Sequence, residues 1–393
     1  MMFKHLIKLI WNRRKKNSLF LAEIVVSFMV IFILSSFLTF YYQNYRKALG
    51  FNYENIWVLR YSNPPELKET DSLVRYYDQV RNILKSTPQV KSYTFSGSNY
   101  PYSNSMSTSN LDYKDKSINN VNVYNIESDY PKVMETELVA GRWFTPEDSL
   151  NKRKPMLITK TLSQEMFGAD NPIGKITGKA EREAEIIGVI NDIKSDGDYL
   201  PGGNSMFRQL KPGDVKWAGQ ILMRVSPDAD AAFESKLYNL LANTMKGSSI
   251  ELSHLSDIRI SRNRQTTTPM LIFTVIASFL VFNVSLGLFG VLWYNINQRK
   301  GEIGLRRAIG ASAFNVNKQL ITEALILTTF SLLIGVFFAI QFPLLKVFNL
   351  ESSVYFIAIF ISCIFIYLLV FLCALYPGKQ AAAIMPAMAL HEE

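Results

Sequence analysis

Two cysteines and three histidines are all that the 393 residues supply, and each shortage removes a class of function. Cys363 and Cys373 both fall in the last apolar run, so no disulfide staples the polar part of the chain, which must be held by its own core. His5, His254 and His391 are scattered, which leaves no histidine-based metal site or nucleophile triad. Ser96, Gly97 and Ser98 have no nucleophile elbow around them. A P-loop is also missing. The nearest phrase, GADNPIGKI at 168–176, has five residues between its glycines where a phosphate loop has four, and Ile176 stands where magnesium needs Ser or Thr. Asp192, Asp196 and Asp198 lack EF-hand spacing and read as a solvated turn rather than a calcium loop. Negative charge is in deficit too, with 33 acids against 42 Lys and Arg, a net +9. That balance suits nucleic acid or anionic lipid. The excess lies beside apolar runs, which points to membrane lipid as a partner and away from nucleic acid. Arg and aromatic residues interleaved at 75–81 read as a helix surface, not a base-stacking platform.

What is present in quantity is apolar sequence. Four runs, at 18–42, 269–294, 324–345 and 354–376, each reach the ~20 residues that cross a bilayer as a helix. Mean hydropathy is nevertheless only +0.08, so a large polar segment must offset them. It lies at 43–268. The run at 18–42 is too long for a signal-peptide core and closes on no small-residue cleavage site. Ahead of it, residues 1–17 place Phe3, Leu6, Ile7, Ile10 and Trp11 on one helical face opposite Lys4, His5, Lys8 and Asn12, a basic amphipathic helix suited to headgroups. Six Lys/Arg in the first sixteen residues keep that end inside, which exports the domain at 43–268. Arg46, Lys47, Arg259, Arg262 and Arg264 oppose this count, but large domains translocate largely regardless of charge. Glu23, one turn into the first span, reads as an interface carboxylate. Four spans then place both termini, including the tail at 377–393, in the cytosol. Gly287, Gly290 and Gly335 mark candidate close helix contacts.

The exported domain echoes itself. Strand, amphipathic helix and strand are expected at 55–61, 67–85 and 90–96, and again at 217–225, 229–245 and 249–255. Two such units can pair into one α+β layer. Between them, about 100–210 is polar and turn-rich with short β runs, an inserted β-rich subdomain. The cytoplasmic segment at 295–323 carries five basic residues, against one at 346–353 on the far side. Within it, NQRKGEIGLRRAIGAS at 297–312 favours a short helix ended by Gly310, with Ser312 capping the next.

That last stretch also carries a resemblance. QRKGEIGLRRAIGAS is similar to the R-x-x-EIG-x-x-RA-x-GA signature of the MacB–FtsX family of ABC transporter permeases. Residues 317–335 (NKQLITEALILTTFSLLIG), with Glu323, resemble that family's next span, and YPGKQAAAIMPAMAL its closing segment. Within the polar domain YPKVMETELVAGRWF (130–144), MFGADNPIGK (166–175) and IIGVINDIK (186–194) resemble its GR-F, PIGK and VGVV-x-D-x-K segments. The resemblance implies four membrane helices plus an α+β extracytoplasmic domain, in which a porter-like βαβ unit holds an inserted β-rich subdomain. It implies a multi-pass protein of a bacterial inner membrane that dimerises with an identical or a related permease. A cytosolic P-loop ATPase would drive it, and a periplasmic adaptor is a further partner. ATP-Mg is expected on that partner and no cofactor in this chain, which would not itself be an enzyme. Arg299, Glu302, Ile303, Leu305, Arg306, Arg307, Ala308 and Gly310 would form the ATPase-coupling segment, with no catalytic or metal residues; substrate-binding residues are not identifiable. The implied role is mechanotransmission, moving the outer domain to export a peptide, drug or lipoprotein. The competing role is a membrane-tethered sensor or scaffold that signals to partners such as cell-wall hydrolases without transport.

Overall fold

The computed structural model describes residues 14–382, apart from 68, 152, 179–182, 212–213 and 215–216. The amphipathic helix expected at 1–17 therefore lies almost wholly outside the described residues, as does the tail beyond 382. The chain divides into a helical unit, up to Gln43 and from Thr268 onward, and an α/β unit over Asn44–Thr267.

Helix α1 (Arg14–Tyr45) leads into the α/β unit. There β1 (Ile56–Tyr61), α2 (Thr70–Ser86) and β2 (Val90–Ser96) form the first repeat. β3 (Thr108–Tyr113), β4 (Lys116–Ile126), α3 (Tyr130–Met134), β5 (Leu138–Gly141), β6 (Lys154–Thr159), α4 (Lys160–Phe167), β7 (Ile176–Thr177), β8 (Ala184–Ile190) and β9 (Ser205–Gln209) make the insertion. β10 (Gln220–Val225), α5 (Ala231–Thr244) and β11 (Ile250–His254) complete the second repeat. The two repeats interleave rather than sit side by side. The strand order is β11-β1-β10-β2-β4-β9-β6-β8-β5, and β1 runs antiparallel between β10 and β11. The repeat half of the sheet meets the insertion where Ser96 pairs with Ile126 and the Gly97 N–H donates to the Asn125 carbonyl at 2.9 Å.

The repeat half is closed by its two helices. In α2 the buried residues Leu73, Tyr77, Val80 and Leu84 recur at helical spacing, and α5 contributes Phe233, Leu237 and Leu241. They cover Trp57, Leu59, Phe95, Ile221 and Met223 of the sheet. The interleaved stretch at 75–81 is thus not all helix surface. Tyr77 belongs to the apolar stripe, and Arg81 lies 4.1 Å over the Phe95 ring while pairing with Glu127. Leu84→Ala opens a cavity here and is expected to cost about 2–5 kcal/mol. The check is a lower denaturation midpoint for the tryptophan signal of the intact protein.

The aspartates read as a solvated turn are all engaged. Asp192 accepts hydrogen bonds from the backbone N and the hydroxyl of Thr161, 2.8 and 2.6 Å, at the start of α4. Asp196 pairs with Arg262 at 2.5 Å, and Asp198 is buried. Sequence spacing showed no partners because these lie at least 30 residues away along the chain. No group of three or more metal-ligating side chains occurs among the described residues.

The remaining helices are α6 (Leu255–Asn297), α7 (Lys300–Ala308), α8 (Ala313–Leu344) and α9 (Ser352–Ala382), the last continuing through Pro377. With α1 this gives four helices among the described residues that are long and apolar enough to cross a membrane. Phe20, Ile24, Phe28 and Phe32 of α1 pack with Leu288, Ala324, Leu332, Tyr355 and Ile366. Two of the three span glycines sit at close approaches. A methyl group on Gly287 would collide with the Glu23 carboxylate, and one on Gly335 with the Phe28 ring; Gly290 faces open space.

Candidate functional site

Residues 297–314 turn the chain from α6 into α8. The short helix α7 has Glu302 in its first turn and Arg306 and Arg307 in its last, each charge placed to suit the helix dipole. Gly310, at φ +100°, takes the left-handed conformation that ends the helix, and its N–H donates to the Arg307 carbonyl at 3.2 Å. The Ser312 hydroxyl then accepts from the Asn315 N–H at 3.2 Å and starts α8.

Four of the charges are spent within the chain, on Arg299, Glu302, Arg306 and Glu323. Arg299 donates from Nε to Glu302 at 3.0 Å and from Nη1 to Glu323 at 2.6 Å. Arg306 donates from Nη2 to Glu302 at 2.6 Å and from Nη1 to the Gln319 side chain at 2.9 Å. Gln319 closes the ring by donating to Glu323 at 3.0 Å. Burial works to lower the Arg299 pKa, but the hydrogen bonds and charges of Glu302 and Glu323 outweigh it and hold the guanidinium above its usual value. The network therefore staples α7 to α8. Arg299→Met would leave two carboxylates facing each other without their shared cation. The expected cost approaches the ~3–5 kcal/mol of a broken buried pair without reaching it, because Glu302 remains partly exposed. Faster amide exchange over 299–308, with the four long helices unchanged, is the check.

Apolar residues divide in two. Ile303 is only 3% exposed and packs with Ile296 and Val316, so the apolar contact it supplies is internal. Leu305 and Ile309 are 55% and 79% exposed, Phe314 is 73% exposed, and Ala308 lies exposed between them. Leu305, Ala308 and Ile309 stand at i, i+3, i+4 and so share one face. The Nε of Arg307 is enclosed and has no hydrogen-bond partner among the described residues. Of the eight residues read from the sequence, the structure thus gathers Arg299, Glu302 and Arg306 into one network, turns Ile303 inward, and leaves Leu305 and Ala308 outward. Ile309 and Phe314 were missed, although continuing the helical spacing from Leu305 would have found Ile309. Gln319 was missed because its role depends on α8 folding back against α7.

Comparison with known proteins gives two adjoining matches. The MacB-like periplasmic core domain profile covers residues 19–239, and the FtsX-like permease C-terminal profile covers 271–386. The macrolide export ATP-binding/permease protein MacB of Aggregatibacter actinomycetemcomitans is 25% identical over 233 residues, 57% of this chain and 36% of that protein. The uncharacterized ABC transporter permease YknZ of Bacillus subtilis is 23% identical over 222 residues, 54% of this chain and 55% of that protein. The alignments with these relatives thus span between about a third and about half of their length. Among solved structures, the periplasmic region of MacB from Actinobacillus actinomycetemcomitans aligns with 56% of this chain and 97% of its own, at 18% identity and a TM-score of 0.39. With the two profiles matching most of its length in sequence order, the chain belongs to the MacB–FtsX family of ABC transporter permeases, a set of apolar membrane helices carrying an extracytoplasmic α+β domain.

Proposed function

We propose that this chain is a permease subunit that docks a separate cytosolic P-loop ATPase through Leu305, Ala308, Ile309 and Phe314. The supporting observation is the division of labour at 299–323. Arg299, Glu302, Arg306 and Glu323 hold one another, and an apolar face is left outward on a helix that the network keeps rigid. Lipid contact alone would favour the opposite arrangement, with basic side chains outward at the headgroups. ATP hydrolysis in the partner then moves α6 and α8 through their short connection, and the outer domain with them. This is mechanotransmission in a dimer of permease chains, serving export of a peptide, drug or lipoprotein. Both termini lie in the cytosol.

The test is purification of the tagged protein from its own membranes in mild detergent, with mass spectrometry of what accompanies it. A P-loop ATPase in near-equal amount supports the proposal. A folded preparation with no ATPase in several detergents would turn the reading toward a tethered sensor.

A further inference from the structure

Residues 192–198 link two places that the sequence keeps far apart. The Lys194 side chain is 2% exposed, and its ammonium donates to three backbone carbonyls: Asn44, Lys47 at 2.6 Å and Asp198 at 3.2 Å. Two of these belong to the carboxyl end of α1 and the turn after it, where carbonyls lack intrahelical partners and a cation is favoured. Four residues on, Asp198 is 2% exposed and grips the first turns of α6. Arg259 donates to it at 3.2 and 2.5 Å and Asn263 at 2.9 Å, while its own N–H donates to the Asn263 side chain at 2.9 Å. Tyr102 of the insertion donates to the same carboxylate at 2.7 Å.

The surroundings reinforce both grips. Arg262 pairs with Asp196, so residues 259, 262 and 263 present one face of α6 to this segment. Tyr45 stacks on Tyr199 at 5.2 Å, and the Lys194 N–H donates to the Leu49 carbonyl. Gly50, at φ +83°, lies so close that a side chain there would strike the Asp192 carbonyl. Burial pushes the Lys194 ammonium below its usual pKa, while the hydrogen bonds to Asp198 outweigh burial and hold that carboxyl below its own. Arg259 and Arg262, which oppose the positive-inside count, are thereby neutralised in place.

We infer that residues 192–198 are a single joint through which the end of α1 and the start of α6 are held, together, to the inserted β-rich subdomain, with Lys194 and Asp198 as its positioning residues. The inference deepens the proposed transmission, since movement of either helix then reaches the insertion through one loop. Two independent anchors would not do this. The Lys194 contact with the Asp198 carbonyl makes the grips one unit, so loosening one must loosen the other.

The test is amide hydrogen exchange on the intact protein in lipid nanodiscs without nucleotide or ATPase, so that it stands or falls separately from ATPase docking. Lys194→Met is expected to speed exchange at least tenfold over 45–50 and several-fold over 259–263. Asp198→Asn is expected to speed exchange at least tenfold over 259–263 and several-fold over 45–50, with β6 and β8 unchanged in both. The double variant should exchange more slowly than the product of the two single effects implies, because the residues share one loop. A multiplicative double variant, or single effects confined to one helix end, would show two separate anchors and overturn the inference. If either variant also loosens β6 and β8, Asn263→Ser, which strands no charge, replaces it. It is expected to raise exchange at 259–263 and, to a smaller degree, at 45–50; no effect at 45–50 overturns the joint.

Discussion

Leu305→Glu combined with Ile309→Glu is expected to release the ATPase from the purified protein, weakening the association at least a hundredfold, about 3 kcal/mol. Both side chains are exposed, so the substitutions open no cavity in the chain itself. Two desolvated apolar anchors in an interface are each worth on the order of 1–2 kcal/mol or more, and a buried unpaired carboxylate adds a further penalty. Neither position touches the Arg299–Glu302–Glu323 network, so exchange at 299–308 should stay as in the parent. Loss of binding with an intact segment is what separates docking from folding. Retention of the ATPase would move the docking surface elsewhere.

Glu302→Lys has the larger effect on the segment itself. Glu302 accepts from both Arg299 and Arg306, and a lysine there places three cations within a few ångströms. The expected result is an α7 that exchanges without protection, with ATPase binding lost as a consequence. Adding Arg306→Glu should not restore it. The pair at 302 and 306 would regain opposite signs, but the introduced lysine would still face Arg299. The introduced glutamate would meet the carbonyl side of Gln319, which donates onward to Glu323. Exchange over 299–308 together with co-purification measures both. Recovery in the double variant would show that the 302–306 pair acts alone and that Arg299 contributes little.

How much of this could be read from residues alone differs by element. The four long helices and the α+β character of the outer domain follow from local rules, namely run length in the spans and period-3.6 stripes such as Leu73–Tyr77–Val80–Leu84 in α2. The interleaving of β1 between β10 and β11 does not, because strand order depends on pairing across more than 150 residues. The segment at 297–323 shows the same divide. Gly310 acts through its own backbone and Ser312 through a hydroxyl that reaches only three residues on, so their roles were visible. The charges at 299, 302 and 306 were visible as charges, but that they face Gln319 and Glu323 depends on α8 returning alongside α7. The aspartates at 192, 196 and 198 fared worst, since their partners Thr161, Arg262 and Arg259 belong to other elements or turns of the chain.

The measurement that bears most directly on a permease driven from the cytosol is hydrogen exchange in the outer domain of the reconstituted complex, with ATP turning over and with ADP alone. Turnover is expected to change protection at 45–50 and 192–198 in the parent and to leave it unchanged when the ATPase is lost through Leu305→Glu with Ile309→Glu. An outer domain whose exchange is the same in both nucleotide states, in a complex that hydrolyses ATP, would contradict transmission across the membrane.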